Sequence, residues 1–167
     1  SSAASDVYKR QYQSRVRGLP EFGGELPVSV LAEEILTSGE GQVKALVTMA
    51  GNPVVSTPNS TQLVTALDSL EFMVSIDYYL NETTRHAHVI LPPCGPLERD
   101  HYDLIFNSFA VRNVAKYAPA LFPPDKGAKE DWQIIHGLLK RMGRGSLKTR
   151  LQGRLVLGIM GWMKPVS

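Results

Sequence analysis

A single cysteine, Cys94, in 167 residues excludes an internal disulfide and cannot by itself build a zinc or iron–sulfur site. The excess of one charge over the other is small too. Eighteen Lys and Arg against 16 Asp and Glu leave a formal net charge of +2, which gives no polyelectrolyte argument for a nucleic-acid partner. No apolar run approaches the roughly 20 residues that a membrane helix needs. Aromatics make up 8%, apolar residues 43% and charged residues 20%, the proportions of an ordinary globular domain. The length suits one domain with a real core.

The stretch 43–99 organises the rest. Its run Ala45–Met49 is apolar enough for a strand buried on both faces, the habit of parallel sheets. Gly51-Asn52-Pro53 ends that run, since Pro53 has no N–H for a ladder and Gly51 permits unusual dihedrals. Pro58-Asn59-Ser60 starts a helix, and Leu63, Leu67 and Leu70 fall on one stripe of it. A second β-prone run, Phe72–Ile76, stops at Asp77, and a third, 89–91, stops at Pro92-Pro93. Strand–helix–strand units in one sheet are parallel with a right-handed crossover. Asn52 and Asp77 are therefore expected at the same sheet edge, where open α/β sheets hold ligands. The fold class is α/β: a three-layer domain with a mostly parallel sheet flanked by helices.

Outside this unit the signals are weaker. Residues 1–11 have no periodicity and look like translated adaptor sequence, and 1–17 is expected to be a non-native or disordered tail; an ordinary polar tail is the alternative. Pro27 and the stripe Leu31, Ala32, Ile35 and Leu36 predict a helix over 28–36, ended by Gly39 and Gly41. The proline-rich stretch 92–124 is long and irregular, with 104–114 readable as a strand or hairpin arm. Asp131 opens a helix with Trp132, Ile135, Leu139 and Met142 along one face. The domain is expected to span 18–145, followed by a truncated basic amphipathic helix over 146–167. The whole then reads as a fragment of a larger protein.

From Gly18 to about Met142 the chain resembles the molybdopterin-dinucleotide oxidoreductases, the group of formate dehydrogenases, nitrate reductases and dimethyl sulfoxide reductase. The resemblance rests on Gly51-Asn52-Pro53, Asp77, Glu82-Thr83, Ala87-His88-Val89-Ile90-Leu91-Pro92, Glu98 and the helix start at Asp131. Their order and spacing carry it; no single piece does. It implies the third domain of such an enzyme, holding the guanosine end of a molybdenum (or tungsten) bis(molybdopterin guanine dinucleotide), with iron–sulfur clusters elsewhere in the parent. By the same resemblance Gly51, Asn52, Pro53, Ile76, Asp77, Asn81, Thr83, Arg99 and Asp131 line the cofactor, and none is catalytic or a metal ligand. Asp77 suits the paired N1–H and N2–H donors of guanine, which an adenine edge does not offer. Asn52 suits the ribose or pyrophosphate, Asn81 either role, and Arg99 the diphosphate. For Asp131 a first-turn carboxylate is the plainer reading.

The chain also departs from the family pattern. His88 stands where Asp is usual, Pro93-Cys94-Gly95-Pro96 replaces the common loop, and 103–107 replaces a glycine-rich piece. His86 and His88 read as one face of a strand, for want of a third metal ligand. Cys94 reads as an inert loop thiol, while Asn59-Ser60-Thr61 and Asn81-Glu82-Thr83 read as a cap and a loop contact, not glycan acceptors. Expected partners are other domains of the parent and an electron-transfer subunit or carrier, with no nucleic acid. The expected compartment is the cytoplasm, the periplasm remaining open. The alternative function is a non-catalytic nucleotide-binding or interaction module of similar fold.

Overall fold

The computed structural model describes residues 12–103 and 106–142. They fall into two compact units, divided between Leu91 and Pro92. The basic extension expected over 146–167 and the first 11 residues lie outside the described residues. No described helix is long and apolar enough to cross a membrane.

In the first unit a 3-10 turn, Val28–Val30, leads into α1, Leu31–Leu36. There follow β1 (Ala45–Met49), α2 (Pro53–Ser56), α3 (Ser60–Asp68) and β2 (Phe72–Ile76). A second 3-10 turn, Thr84–His86, precedes β3, Val89–Ile90. The three strands form one sheet in the order β1-β2-β3, parallel throughout. Leu46 pairs with Met73, and Thr48 with Ser75; their hydroxyls meet at 2.8 Å. This is the expected α/β class, a parallel sheet flanked by helices.

Sequence explains the helical layer directly. Asn59 sits in the left-handed region at φ 59°, and its side chain accepts from Gln62 N, capping α3. Leu63, Ala66 and Leu67 then turn inward and Leu70 follows them past the helix end, all at 5% exposure or less. With Ala32 and Ile35 of α1, Val54 of α2 and Met73 of β2 they form the core, on the sheet face that also carries Leu46. After α1, Gly39 and Gly41 take φ of 134° and 74°, the backbone that brings the chain round to β1.

Three expectations need correction in this unit. β1 is not buried on both faces, since Val47 and Met49 are 55% and 54% exposed. β1 is an edge strand of the described sheet, and the helices of the core cover its Leu46 face; it is the central strand β2 that is buried from Met73 through Ile76. Nor are residues 12–17 a disordered tail. Ser14 is buried and exchanges bonds with Leu19, and Val16 N donates to Glu34 Oε1 at 2.8 Å, which ties 12–17 to α1. His86 and His88 do not share a strand face. His86 closes the 3-10 turn, and β3 begins only at Val89.

In the second unit the hairpin is real but displaced. Its arms are β4 (His101–Tyr102) and β5 (Tyr117–Ala118), paired antiparallel, not residues 104–114. Asp103 explains the displacement: its Oδ1 accepts from Phe106 N and its carbonyl from Asn107 N, winding Phe106–Phe109 into a 3-10 turn. Asp100 braces the hairpin, accepting from Tyr117 Oη at 2.6 Å and Ala120 N at 2.9 Å. The closing helix, α4, is Asp131–Met142. It buries Ile134 and leaves Trp132, Leu139 and Met142 exposed, so the expected stripe is not the packed one. Trp132 is held outward because its Nε1 donates to Glu130.

Truncating Leu67 to Ala removes buried methyl groups from the centre of this core and should cost about 3 kcal/mol. Urea unfolding of the chain checks this; a loss below 1 kcal/mol would mean that the core is not organised around α3.

Candidate functional site

The register of β1 with β2 ends at Met49 opposite Ile76, so both strands deliver their next residues to one rim. Ala50 N donates to Ile76 O at 3.0 Å, which extends the ladder by one step. Ala50 does so at φ 50°. The unusual dihedral expected of Gly51 therefore falls on a residue with a Cβ, a strained position next to the loop. A Cβ on Gly51 would meet nothing closer than 3.7 Å, so no steric need for glycine exists there.

Asn52 caps α2, its carbonyl accepting from Val55 N and Ser56 N, and Pro53 fills the first helical position. The Asn52 side chain is committed sideways. Its Nδ2 donates to Glu82 Oε2 and its Oδ1 accepts from Thr83 Oγ1, both at 2.7 Å. Thr83 Oγ1 in turn accepts from Val54 N at 3.1 Å. One fully buried hydroxyl thus joins the loop after β1 to the loop after β2.

The second loop is built the same way. Asn81 Oδ1 accepts from the N–H groups of both Thr83 and Thr84 at 2.9 Å, and Asn81 N donates to Thr84 Oγ1. Thr84 Oγ1 donates to Tyr79 O. Asp77, 8% exposed, accepts from Tyr79 N at 3.1 Å through Oδ1 and from Asn81 Nδ2 at 3.4 Å through Oδ2. A continuous chain of polar contacts therefore runs Asn52–Thr83–Asn81–Asp77. Of the residues expected at the site, Gly51, Asn52, Pro53, Ile76, Asp77, Asn81 and Thr83 come together at this rim. Ile76 contributes its carbonyl to Ala50.

Arg99 and Asp131 belong to the second unit, where Arg99 Nη1 donates to Asp131 Oδ2. Glu98 Oε2 accepts from Gly95 N at 2.7 Å, and Cys94 is buried with its N–H on Lys129 O. His86 Nδ1 lies 2.6 Å from Asp68 Oδ1. His88 works on the backbone: its N–H donates to Met73 O at 2.9 Å, and its Nδ1 accepts from Met73 N at 3.1 Å. Among the described residues no group of three or more His, Cys, Asp or Glu could hold a metal ion.

Glu82 and Thr84 had no assigned role in the sequence. The signal was there in Asn81-Glu82-Thr83-Thr84, a run of short polar side chains that bond to backbone within a few residues. The Asn52 amide beside Glu82 holds that exposed carboxyl below the usual range, with its own backbone N–H and nearby Arg85 acting in the same direction.

Residues 11–141 match the family model for molybdopterin oxidoreductases. The chain belongs to the molybdopterin oxidoreductase family. It is 34% identical over 139 residues to the assimilatory nitrate reductase catalytic subunit of Bacillus subtilis (strain 168), covering 81% of this chain and 18% of that protein. It is 36% identical over 112 residues to the F420-dependent formate dehydrogenase subunit alpha of Methanocaldococcus jannaschii, covering 67% and 16%. Against the dimethyl sulfoxide/trimethylamine N-oxide reductase of Rhodobacter capsulatus it is 27% identical over 124 residues, covering 73% and 14%. The chain thus spans less than a fifth of the length of these relatives. Membership of the family implies a molybdenum–molybdopterin cofactor.

Two outcomes test this molybdopterin-family rim. Thr83→Val strands Val54 N without an acceptor and should cost about 2 kcal/mol, whereas Thr83→Ser keeps the hydroxyl and should cost less; denaturant midpoints of the two variants separate the cases. For Glu82 the folded carboxyl titrates below its unfolded value, so its stabilising contact is complete above the ordinary carboxylate pKa. It is lost as pH falls through the depressed value. An NMR titration should find the Glu82 midpoint low in the wild type and returned toward normal in Asn52→Ala.

Proposed function

We propose that this chain is the part of a molybdenum- or tungsten-dependent oxidoreductase that grips the guanosine and diphosphate of a bis(molybdopterin guanine dinucleotide). The observation that carries the reading is the tethered carboxylate of Asp77 at the rim of a parallel sheet. Each of its oxygens takes one donor from its own loop, and the contact to Asn81 is long. Acceptor capacity therefore remains on both oxygens. Guanine presents N1–H and N2–H side by side, and a carboxylate accepts both in a charge-assisted pair. Adenine has no such edge, so the same group would set base preference.

Asn52 and Asn81 then act mainly as positioning residues. Their side chains hold the two loops at a fixed separation, so the base meets a rim that is already ordered. Asn52 and the strained Ala50 shape the turn against which the ribose is placed. Arg99, paired with Asp131, is assigned to the anionic part of the cofactor. When bound, the metal and its dithiolene ligands supply the redox chemistry. The residues here bind and orient, with electrons passing through iron–sulfur centres elsewhere in the full protein.

The test uses the full-length protein and counts molybdenum or tungsten, and released guanine nucleotide, per chain. Asp77→Ala should lower both severalfold, and unchanged occupancy would mean that the carboxylate is misassigned. A full-length wild type free of metal and of guanine would instead favour a non-catalytic module of this fold.

A further inference from the structure

Tyr79 stands out among the rim residues because its backbone and its side chain are treated oppositely. Its N–H is taken by Asp77 Oδ1 at 3.1 Å and its C=O by Thr84 Oγ1 at 2.8 Å. Both partners are buried, at 8% and 1% exposure. The side chain nevertheless stands 72% exposed, and its ring meets the Tyr78 ring edge-on, centroids 6.0 Å apart and planes at 73°. An exposed tyrosine on a loose loop needs no explanation. Here the backbone is pinned at both ends, and the ring presents an aromatic surface to water with its neighbour packed against it. It lies two residues beyond the carboxylate assigned to the guanine edge, and its N–H is bonded to that same carboxylate. The main chain that carries the ring is therefore tied to the carboxylate.

We infer that Tyr79 is the stacking platform for the purine whose edge Asp77 accepts. This deepens, and rests on, the guanosine-binding reading of the rim. The two residues divide recognition by chemistry. Every base has a π face, so stacking adds affinity with little regard to sequence. The carboxylate discriminates, because it needs two adjacent donors. Tyr79 would thus set how tightly a purine nucleotide is held, and Asp77 which purine it is.

The experiment uses full-length protein produced without cofactor, titrated with GDP and with ADP by calorimetry. Tyr79→Ala should weaken GDP about tenfold, the scale of one stacked base. It should weaken ADP in proportion, leaving the GDP/ADP ratio of Kd values as in the wild type. Tyr79→Phe, which keeps the π face, should stay within about twofold. Asp77→Asn should instead collapse the ratio. Because the Tyr79 side chain is exposed, its variants should unfold at the wild-type temperature, which removes misfolding as an explanation. Unchanged GDP affinity in Tyr79→Ala alongside a collapsed ratio in Asp77→Asn would overturn the stacking role and leave the guanosine reading standing. A wild type that binds GDP no better than ADP would overturn both.

Discussion

A buried hydroxyl between two loops is the contact on which the rim depends. Parallel pairing brings the ends of β1 and β2 to one edge, but neighbouring strand ends do not by themselves fix the loops that leave them. Thr83 Oγ1 does so by donating to Asn52 Oδ1 while accepting from Val54 N. Both groups would otherwise be left unpaired or open to water, and Thr83 is fully buried. A group so placed contributes mostly through what its loss would strand. The separation of Asn52 from Asp77, and thus the shape offered to a ligand, follows from that one side chain and from Asn81 beside it.

His88 shows how a departure from the family pattern is absorbed. The family resemblance leads one to expect Asp there, whose ionised carboxylate is an acceptor only. In this chain the imidazole Nδ1 accepts from Met73 N, while the His88 N–H donates to Met73 O. Met73 is the fully buried second residue of β2, and its two backbone groups are thereby satisfied before β3 begins at Val89. A neutral imidazole offers one acceptor nitrogen, which is all that this position uses. The ring also rests against Phe72, centroids 5.5 Å apart, an apolar contact that a carboxylate would not make. These contacts stand at the start of the β2–β3 pairing, at the other end of the strands from the rim.

Most of the first unit was legible because its signals are local. The Asn59 cap and the Leu63, Leu67 and Leu70 stripe give α3, and the apolar runs that stop at Gly51 and Asp77 give two strands and their common edge. What could not be read depends on neighbours distant in sequence. The openness of β1 follows from its place in the strand order, which an apolar run does not encode. The strain at Ala50 rather than Gly51 arises because Ala50 N must reach Ile76 O. The hairpin was misplaced because alternation over 104–114 competed with the Asp103 side chain, whose hydrogen bonds turn the backbone at that point. Glu82 and Thr84 carried a visible motif of short polar residues, yet their partners Asn52 and Tyr79 emerge only once the loops are folded.

Charge constrains how a nucleotide could lie on this rim. Two carboxylates stand there, Asp77 and Glu82, and a diphosphate placed against either would be repelled in the low dielectric near a protein surface. Asp77 is mostly buried and tied to its loop by Tyr79 N and Asn81 Nδ2, so its remaining lone pairs favour neutral N–H donors over phosphate. Glu82 is exposed and already shares its charge with the Asn52 amide and, more weakly, with Arg85. If the ligand is the proposed guanosine diphosphate, the base is the one part of it that both carboxylates would tolerate and that Asp77 would attract. The phosphates are then directed away from the Asp77–Glu82 loop, toward backbone N–H groups or cations outside it. On the proposed guanosine reading, the acidic loop after β2 would orient the ligand as well as recognise it, because repulsion disfavours the reversed pose.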